Sequence, residues 1–435
     1  MNYAQTLEFL DSAMSSFQQK GASAYKPGLE RIVEFCRRTG NPQRNFFTIH
    51  VAGTDGKGSV SSMIAAVLQS AGYRTGLFTS PHLHEFRERI RVDGEIIPKQ
   101  KVVNFVDKYR DTMLEVGLSY FEMTTAMAFD YFDQSDVEVA VIETGLGGRL
   151  DATNIVTPIL SVITNVSLEH TDLLGDTLPK IAAEKAGIIK KSIPVLIGEC
   201  NDEWNATIEA RASELKSKVI YAEKEFLLEK RLPAETGSRY ILVRNRDGRK
   251  FDLRIDLAGD YQSRNIVTAT AALDFLHEET PLSISRRALR EGMLTADAAT
   301  GLRGRWTVVA EEPCTVCDTG HTAEAFGYIR NQLNTLGKKA IAVIGFVNDK
   351  RIDEMLARLA GVENLAEVIF TRPSVERAMS LDRLREAAKR YPFAAKYIDT
   401  VAEAMAEARK DAAETGAGMI FVGGSTYIAA EVMKN

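Results

Sequence analysis

"HVAGTDGKGSV", residues His50–Val60, organises the first half of the chain. The run before it, "NFFTIHVA", is short and apolar, which is typical of a buried strand. Apolar residues then recur at helical spacing from Val60 to Leu68, and Gly72 ends the pattern. The order of strand, glycine loop and helix predicts a nucleotide-binding unit, in which backbone N–H groups and a helix N-terminus face a phosphate.

The residue types in the glycine loop suit a phosphate. Glycines let N–H groups converge without Cβ obstruction, Lys57 can neutralise β/γ-phosphate charge, and the Ser59 hydroxyl can contact phosphate or Mg²⁺. Because Gly58 separates Lys57 from Ser59, the loop departs from the G-x-x-x-x-G-K-[ST] pattern. The predicted nucleotide-binding loop comprises Gly53, Thr54, Asp55, Gly56, Lys57, Gly58 and Ser59. The alternative is an ordinary glycine-rich turn between a strand and a helix.

Length and composition exclude several classes of protein. A chain of 435 residues predicts two domains, and a net charge of −5 without basic blocks disfavours nucleic acid as a partner. The sequence has no apolar run of membrane-spanning length, and acids stand where a signal peptide needs basic residues. Cys314 and Cys317 form a C-x-x-C inside a strand-like run, so we expect buried thiols. The sequence predicts a cytoplasmic protein.

Strand-like and helical runs alternate along most of the chain. This pattern predicts an α/β fold: a P-loop nucleotide-binding domain with a mostly parallel sheet in residues 1–300, and a smaller Rossmann-like α/β domain in residues 301–435. "KVIYAE", "SRYILVRN" and "FDLRIDL" are predicted hairpin strands appended to the first sheet. "TADAATGLRGRW" is the predicted linker, and "WTVVAEEPCTVCDT" is predicted to be the first strand after it.

Further motifs resemble the folylpolyglutamate synthase/dihydrofolate synthase family of the Mur ligase superfamily. In family order they are "GLFTSPHLHEFRERIRVDG", "FEMTTAMAFDYF", "VIETGLGGRLDATN", "LEHTDLLGDTLPKIAAEKAGII", "GDYQSRN", "GLRGRW", "CDTGH", "GFVNDK" and "VGGSTYIAAE". The resemblance implies an ATP-dependent ligase that adds L-glutamate to 7,8-dihydropteroate, to folates, or to both, through an acyl phosphate. It also implies ATP as co-substrate, Mg²⁺ as cofactor and a monomer.

By this resemblance, Lys57, Lys185 and His170 are the catalytic residues. Ser80, Glu143 and His170 match magnesium ligands, and hard oxygen donors suit that ion. Lys185 matches a carbamylated lysine, and carbamate formation requires a neutral amine and therefore a lowered pKa. The alternatives are a Ser-Pro turn, a strand-end acid, a capping or core histidine, and a surface ion pair within the "EK" dipeptide.

Other matched residues would bind ATP and the pterin. Asn265, Arg305 and Asp318 match ATP contacts; an arginine offers a donor fork for phosphate, and Asp318 an acceptor for ribose hydroxyls. The pterin or folate residues by resemblance are Lys26, Pro27, Gly28, Leu29, Ser119, Tyr120, Phe121, Glu122, Leu150, Asp151 and Ala152. Phe121 can stack on the pterin or belong to the core, and Glu122 or Asp151 can accept its N–H groups. His82 and Lys350 are candidates near the glutamate end.

The chain departs from the family pattern at several positions. Asp55 stands where Asn is usual; both tolerate the same turn, but repulsion from phosphate is on the order of 1–3 kcal/mol unless a metal or Lys57 compensates. The other departures are Glu169, Tyr261, Thr322 and Arg351, where Asp, His, Asn and an acid are common. These departures leave open a nucleotide- and folate-binding homologue without turnover. A Mur-type cell-wall peptide ligase is a second alternative within the superfamily.

Overall fold

The computed structural model describes residues 1–20, 27–233, 237–348 and 352–434. The chain forms two compact units. The first comprises Met1–Arg231, Tyr240–Arg254 and Ser263–Gly301, and the second comprises Leu232–Arg239, Ile255–Gln262 and Leu302–Asn435. The unit boundary at residues 301 and 302 falls within the segment predicted as a linker. The sequence did not indicate that two short segments before this boundary belong to the second unit.

Helices and strands alternate along both halves of the chain. The first half contains α1 (Tyr3–Lys20), α2 (Glu30–Arg38), β1 (Phe47–Ala52), α3 (Lys57–Ser70), β2 (Thr75–Phe78), β3 (Ile90–Val92), β4 (Glu95–Ile96), α4 (Lys99–Val116), α5 (Tyr120–Gln134), β5 (Val139–Glu143), β6 (Leu160–Ile163), α6 (Thr171–Leu174), α7 (Leu178–Ala186), β7 (Val195–Ile197), α8 (Asp202–Glu214) and β8 (Val219–Tyr221). Next come α9 (Ala222–Glu225), β9 (Phe226–Pro233), β10 (Ser238–Arg244), β11 (Lys250–Ile255), α10 (Gln262–Glu279), α11 (Arg286–Leu294) and α12 (Ala296–Thr300). The remainder contains β12 (Thr307–Ala310), β13 (Cys314–Cys317), α13 (Ala323–Leu336), β14 (Ala340–Ile344), α14 (Ile352–Leu359), β15 (Leu365–Arg372), α15 (Leu381–Ala388), β16 (Ala395–Thr400), α16 (Val401–Thr415), β17 (Met419–Gly423) and α17 (Thr426–Met433). The predicted α/β fold class is confirmed.

The larger sheet is built around the strand that precedes the glycine loop. Its strand order is β4-β3-β2-β5-β1-β6-β7-β8. The six neighbouring strands β2, β5, β1, β6, β7 and β8 pair in parallel. At one edge of the sheet, β3 pairs with β2 and β4 pairs with β3, both in antiparallel orientation. All residues of β2, β5, β6 and β7 are buried. Such continuous burial is expected of parallel strands covered on both faces, which explains why their sequences are mostly apolar.

The parallel strands place their carboxyl ends at one edge of the sheet. β1 lies between β5 and β6, with Val51 opposite Glu143 and Ala52 opposite Ile163. The segments that follow β1, β2, β5 and β6 therefore begin at the same edge. In open α/β sheets this edge is where ligands bind, and here it contains the glycine loop.

The smaller sheet has the strand order β12-β13-β17-β14-β15-β16. It is parallel except for the pairing of β12 with β13. The prediction of one strand in "WTVVAEEPCTVCDT" is wrong, because residues 311–313 form a turn between two antiparallel strands. β16 was not predicted; it is a half-exposed edge strand with a weak apolar pattern.

The three predicted hairpin strands belong to two different sheets. β8, in "KVIYAE", joins the larger sheet in parallel beside β7. The intervening helix α8 makes this connection a crossover, which parallel pairing requires. β10 and β11 instead form a separate sheet with β9, in the order β11-β10-β9. The prediction that all three are appended to the main sheet is therefore wrong.

Each unit has its own apolar core. In the first unit, helices α7 and α8 cover one face of the sheet, with Trp204 almost fully buried among them. In the second unit, Trp306 and Cys314 belong to one core cluster, and Cys317 belongs to another. Cys314 and Cys317 are three residues apart on one strand, so their side chains point to opposite faces. No helix in the described ranges has the length and apolarity needed to cross a membrane.

These cysteine positions predict the number of reactive thiols. Cys200 is exposed, whereas Cys36, Cys314 and Cys317 are buried. We expect a thiol reagent to modify one cysteine in the native protein and all four in denaturant. The variant Cys200→Ser is the control and should show no native reaction. A native reaction at Cys314 or Cys317 in this variant would contradict the burial described above.

Candidate active site

The glycine loop is held in place by the residue that follows β6. Asn165 Oδ1 accepts hydrogen bonds from the backbone N–H groups of Thr54 and Asp55, at 3.2 and 2.8 Å. Helix α3 begins at Lys57, directly after Gly56, whose φ of 81° is left-handed. The loop and the N-terminus of α3 therefore have a fixed arrangement, as an anion-binding loop requires.

Gly56 allows a neighbouring side chain to approach the loop closely, and Lys57 gives the loop a positive charge. A Cβ at Gly56 would overlap the side-chain oxygen of Asn265, so only glycine fits there. The Lys57 ammonium donates to the carbonyls of Gly53 and Thr54, at 3.0 and 2.8 Å. The structure thus brings Asn265, a predicted ATP contact, to the predicted ATP-binding loop.

Two of the predicted magnesium ligands are neighbours. Ser80 follows β2 and Glu143 ends β5, and the Ser80 N–H donates to the Glu143 carboxylate at 3.2 Å. Glu143 is buried, with 3% of its surface exposed. The turn after Ser80 is shaped by Glu88, whose carboxylate accepts the N–H groups of residues 83–85 at 2.8 to 3.1 Å. Backbone hydrogen bonds thus hold both oxygen donors at the edge of the sheet.

The third predicted ligand, His170, lies at the start of α6. It has a left-handed φ of 49°, which is uncommon outside glycine and typical of functional sites. Its side chain is half-exposed, and its Nε2 lies 3.6 Å from Glu169 Oε1. Within the described ranges, no three His, Cys, Asp or Glu side chains are close enough to hold a metal together. Mg²⁺ commonly completes its coordination with hydroxyls, waters and phosphates.

Lys185 is buried on α7, with 2% of its surface exposed. The alternative of a surface ion pair in the "EK" dipeptide is wrong, because Glu184 instead pairs with Arg149 at 2.8 Å. A Cβ at Gly148 would lie 2.9 Å from the carbonyl oxygens of Glu184 and Lys185. The glycines of "ETGLGG" therefore let the loop after β5 pack against the helix that carries Lys185.

Three charged residues surround the Lys185 amine. Burial, followed by the positive charge of Lys57, lowers the pKa of Lys185 to about 7, against the opposing effect of Glu169 and Asp55. Asp55 and Glu169, two departures from the family pattern, therefore both act on this amine. Because about half of the amines are neutral at a pH equal to the pKa, Lys185 has the protonation state that reacts with CO₂.

The segment Ser119–Glu122 forms the N-terminus of α5. Ser119 and Glu122 make a reciprocal capping box, with hydrogen bonds of 2.7 and 3.3 Å. Glu122 Oε2 also lies 3.1 Å from Arg31 Nε, so the carboxylate is buried and paired. Its Oε1 has no hydrogen-bond partner in the described part of the chain and can accept an N–H group of a ligand.

Phe121 connects the predicted pterin segments to the loop after β5. Its ring lies over Gly145, where a Cβ would be 2.6 Å from the ring. The ring centroid is 5.9 Å from that of Phe78. Phe121 and Leu29 are partly buried against the same core cluster, so each keeps some accessible surface. A stacking role for Phe121 stays a prediction.

Asp151 is occupied by hydrogen bonds within the protein. Its Oδ2 accepts the N–H groups of Gly145 and Leu146, both at 2.9 Å. Its Oδ1 accepts the Thr153 N–H at 3.0 Å and the Thr153 hydroxyl. These donors use the lone pairs of both oxygens. We therefore expect Leu150, Asp151 and Ala152 to contact a pterin through backbone groups.

His50 extends this network into β1. Its Nε2 lies 2.8 Å from the Thr153 hydroxyl oxygen. Because that hydroxyl donates its proton to Asp151, His50 must donate from Nε2, which fixes its tautomer. Burial lowers the pKa of His50 to about 3, so the ring is neutral. His50, Thr153 and Asp151 thus form a buried chain of hydrogen bonds, called the relay below. It links the strand before the glycine loop to the loop after Glu143.

In the second unit, the predicted ATP contacts Arg305 and Asp318 lie together. Asp318 follows β13, is buried, and accepts the Trp306 N–H at 2.9 Å. Arg305 Nη1 donates to the Gly304 carbonyl at 3.1 Å and to the Thr319 hydroxyl. All of these contacts join residues of the second unit. Arg305 and Asp318 are therefore held in place by that unit alone.

Of the two candidates near the glutamate end, His82 lies in the described part of the chain and Lys350 does not. Lys350, like Lys26 of the pterin segment, lies outside the described residues. His82 Nδ1 accepts from Arg89 Nε at 2.8 Å, and burial together with the Arg89 charge lowers the pKa of His82 to about 4. Arg89 is 8% exposed, and its guanidinium lies 5.6 Å from the centre of the Tyr120 ring. Arg89 is thus a buried cation at the predicted site.

Asn165, Arg89 and the pair of His50 with Thr153 were not predicted as site residues. A usable signal was present for Asn165 and for His50. Asn165 directly follows a buried strand, and His50 is a polar residue inside one. Buried polar groups require partners, so polar residues in such positions indicate a network at the edge of the sheet.

The buried amine of Lys185 predicts a carbamate. Its neutral form can add to the carbon of CO₂ and release one proton, giving N-carboxylysine. We expect a ¹³C carbamate signal in protein equilibrated with ¹³C-bicarbonate. Because the pKa is about 7, the signal should grow from pH 6 to pH 8 as the neutral fraction rises.

Two variants of the same helix test this assignment. Lys185→Arg should lose the signal, whereas Lys180→Arg should keep it, since Lys180 is exposed and pairs with Asp176. A signal of equal size in Lys185→Arg would contradict the carbamate at this position.

The relay predicts a large effect of a small change at Thr153. Thr153→Val preserves shape but removes a donor to a buried carboxylate, so we expect the free energy of unfolding to fall by about 2 kcal/mol, measured in urea. Thr153→Ser should restore most of it. The matched control is Thr124→Val, because the buried Thr124 hydroxyl donates to the neutral Tyr120 carbonyl at 2.8 Å. Equal losses in the two valine variants would contradict a charge-linked relay.

Comparisons with known proteins agree with this geometry. The family "Mur ligase middle domain" matches residues 51–273, and "Mur ligase, glutamate ligase domain" matches residues 304–426. The chain is 32% identical over 442 residues to folylpolyglutamate synthase of Lacticaseibacillus casei, covering 100% of this chain and 98% of that protein. It is 31% identical over 435 residues to dihydrofolate synthase/folylpolyglutamate synthase of Escherichia coli K12, covering 98% and 95%.

Solved structures show the same similarity. Escherichia coli FolC in complex with DHPP and ADP has a TM-score of 0.84 and 30% identity, covering 100% of this chain and 97% of that chain. Mycobacterium tuberculosis folylpolyglutamate synthase complexed with ADP has a TM-score of 0.84 and 28% identity, covering 99% and 98%. The similarity in sequence and fold extends over both domains and the full length of these relatives. The chain therefore belongs to the folylpolyglutamate synthase/dihydrofolate synthase family of Mur ligases.

Proposed function

We propose that this member of the family is an ATP-dependent ligase that adds L-glutamate to 7,8-dihydropteroate, to folates, or to both. The observation that carries the proposal is the buried Lys185, which shares its surroundings with Lys57, Asp55 and Glu169. This group lies at the edge of a parallel sheet, beside a glycine loop. Folylpolyglutamate synthase of Lacticaseibacillus casei matches 100% of the chain, and the Escherichia coli relative, whose name gives both activities, matches 98%.

The reaction would proceed in two steps. The acceptor carboxylate attacks the γ-phosphorus of ATP, which gives an acyl phosphate and releases ADP. The amine of L-glutamate then attacks the acyl carbon, and inorganic phosphate leaves through a tetrahedral intermediate as the amine loses a proton. Such chemistry depends mainly on positioning and charge neutralisation. The loop N–H groups and the N-terminus of α3 would hold the phosphates, and Lys57 would neutralise their charge.

The proposed metal fits the residues present. The Ser80 hydroxyl and the Glu143 carboxylate are hard oxygen donors of the type that Mg²⁺ prefers, and His170 would complete the set. When bound, the ion neutralises phosphate charge. The carbamate of Lys185 would add a further anionic oxygen donor at the same edge. Asp55 fits this arrangement, because its charge would act on a site that holds cations as well as phosphates.

The pterin would be held by the three predicted segments. Phe121 presents a partly accessible ring beside Leu29, and Glu122 offers its second carboxylate oxygen. Backbone groups of residues 150–152 would supply the remaining contacts, since Asp151 is saturated by protein donors. We expect a monomer, as the sequence resemblance implies. The full-length relatives favour a folate acceptor over the alternative of a cell-wall peptide.

The first test is ligation itself. Purified protein with ATP, Mg²⁺ and L-glutamate should release ADP when 7,8-dihydropteroate or tetrahydrofolate is added. Mass analysis should show an acceptor enlarged by one glutamate, and comparing the two acceptors assigns one activity or both. A protein that binds ATP and folate but forms no product would instead support the homologue without turnover.

The glycine loop predicts which lysine this activity needs. Lys57→Ala should lower the rate of ADP formation by at least about 100-fold, because phosphate charge is no longer neutralised. The control Lys180→Ala alters an exposed lysine and should leave the rate unchanged. An unchanged rate in Lys57→Ala would refute the phosphate role of the loop.

A further inference from the structure

Trp306 has an unusual backbone conformation in the second unit. Its φ of 53° is left-handed, which is a genuine outlier for a bulky aromatic residue. Its side chain is 2% exposed, and its ring centroid lies 5.7 Å from that of Phe421. Such a conformation persists only when the surroundings over-determine it, and it occurs preferentially at functional sites. Trp306 directly follows Arg305, so its conformation sets the direction in which the chain presents that arginine.

The carboxylate of Asp318 holds this conformation. Its Oδ2 accepts the Trp306 N–H at 2.9 Å, and its Oδ1 accepts the Gly320 N–H at 2.7 Å. The segment that bears Arg305 is thereby tied to the segment after β13. The Thr319 N–H reinforces this tie by donating to the Gly304 carbonyl at 2.9 Å.

Tyr261 in turn fixes the Asp318 carboxylate. The tyrosine hydroxyl donates to Asp318 Oδ2 at 2.7 Å, on the same oxygen that binds Trp306. The Tyr261 ring packs over Gly259, where a Cβ would lie 2.7 Å from a ring carbon. It also meets the Tyr328 ring edge-on, with 6.3 Å between the two ring centroids. The ring is thus held from two sides, which aims the hydroxyl at the carboxylate. Burial raises the pKa of Asp318, and the Tyr261 hydrogen bond and the Arg305 charge oppose this effect.

We propose that Tyr261 is a positioning residue for nucleotide binding, which acts through Asp318 and the Trp306 backbone to orient Arg305. The inference rests on the proposed function and on the family resemblance, by which Arg305 is a residue that contacts ATP. It gives a role to a tyrosine that stands where the family commonly has histidine. A phenol stays protonated and donating across the physiological range, whereas an imidazole titrates within it.

The test removes a single hydroxyl. Tyr261→Phe keeps the ring and its packing but withdraws the donor from a buried carboxylate. We expect the affinity for the non-hydrolysable analogue AMPPCP with Mg²⁺, measured by calorimetry on the full chain, to fall about tenfold. The KM for ATP should rise by the same factor, while the KM for the pterin substrate stays unchanged. A merely destabilised protein would lower the active fraction without this selective change.

The chain contains a matched control. Tyr328→Phe removes a hydroxyl from the partner ring, and that hydroxyl lies 3.3 Å from Glu324 on its own helix. This variant should bind AMPPCP as the natural protein does. If Tyr261→Phe and Tyr328→Phe have the same affinity and the same KM for ATP, the proposal is overturned.

A double-mutant cycle tests whether Tyr261 acts through Arg305. Arg305→Lys should weaken AMPPCP binding on its own. Adding Tyr261→Phe to Arg305→Lys should then change the affinity by less than about twofold, because the oriented group is already gone. Fully additive effects would mean that Tyr261 acts by another route, and the proposal would fail.

The outcome is separable from that of the proposed function. If the natural protein forms no glutamate-containing product, the ligase assignment fails. The AMPPCP affinities of the natural protein and its four variants still decide the role of Tyr261, because they require nucleotide binding and no turnover.

Discussion

The parallel hydrogen bonding of β1 between β5 and β6 is the constraint on which the site depends. Parallel pairing requires every strand to end at the same edge, so residues far apart in the sequence become neighbours. Glu143 reaches this edge because it pairs with Val51, and Asn165 reaches it two residues after the end of β6. A shift of one residue in either pairing would turn these side chains to the opposite face.

The balance of charges around Lys185 explains why an aspartate, Asp55, is tolerated in the glycine loop. Considered alone, Asp55 places a carboxylate where a phosphate should bind. The structure shows its charge acting on a buried lysine that lies beside a second cation, Lys57. Glu169, the other acidic departure nearby, acts on the same amine. The two acids therefore offset positive charge in a buried location, and neither departure requires the loop to lose its anion-binding form.

The sequence predicted the fold where its patterns are strong. Continuous apolar strands and the glycine loop identified the parallel sheet, and the quoted motifs identified residues that do converge, such as Ser80 with Glu143. Prediction failed where the sequence pattern identifies a strand but does not identify the strand that it pairs with. The periodicity of β8 and β10 is compatible with any neighbour, and only the crossover through α8 decides that β8 joins the main sheet. The hydrogen bonds that saturate Asp151 were equally hidden, because its donors are backbone groups and a threonine whose other partner, His50, lies in β1.

Side-chain identity alone also could not distinguish a buried lysine from a surface one. Glu184 and Lys185 are adjacent in the sequence, yet one pairs with Arg149 and the other is buried. The difference follows from which face of α7 packs against the loop after β5. Lys185 lies on the buried face of this helix with Ile181 and Ala182, and the close approach of Gly148 fixes how that face packs.

The chain has two tryptophans, and each compact unit contains one of them. Trp204 is buried in the first unit and Trp306 in the second. Intrinsic fluorescence is therefore a sum of one emitter from each unit. Replacing either tryptophan by phenylalanine leaves an emission that reports on a single unit, so the order in which the two units melt becomes visible without any attached label.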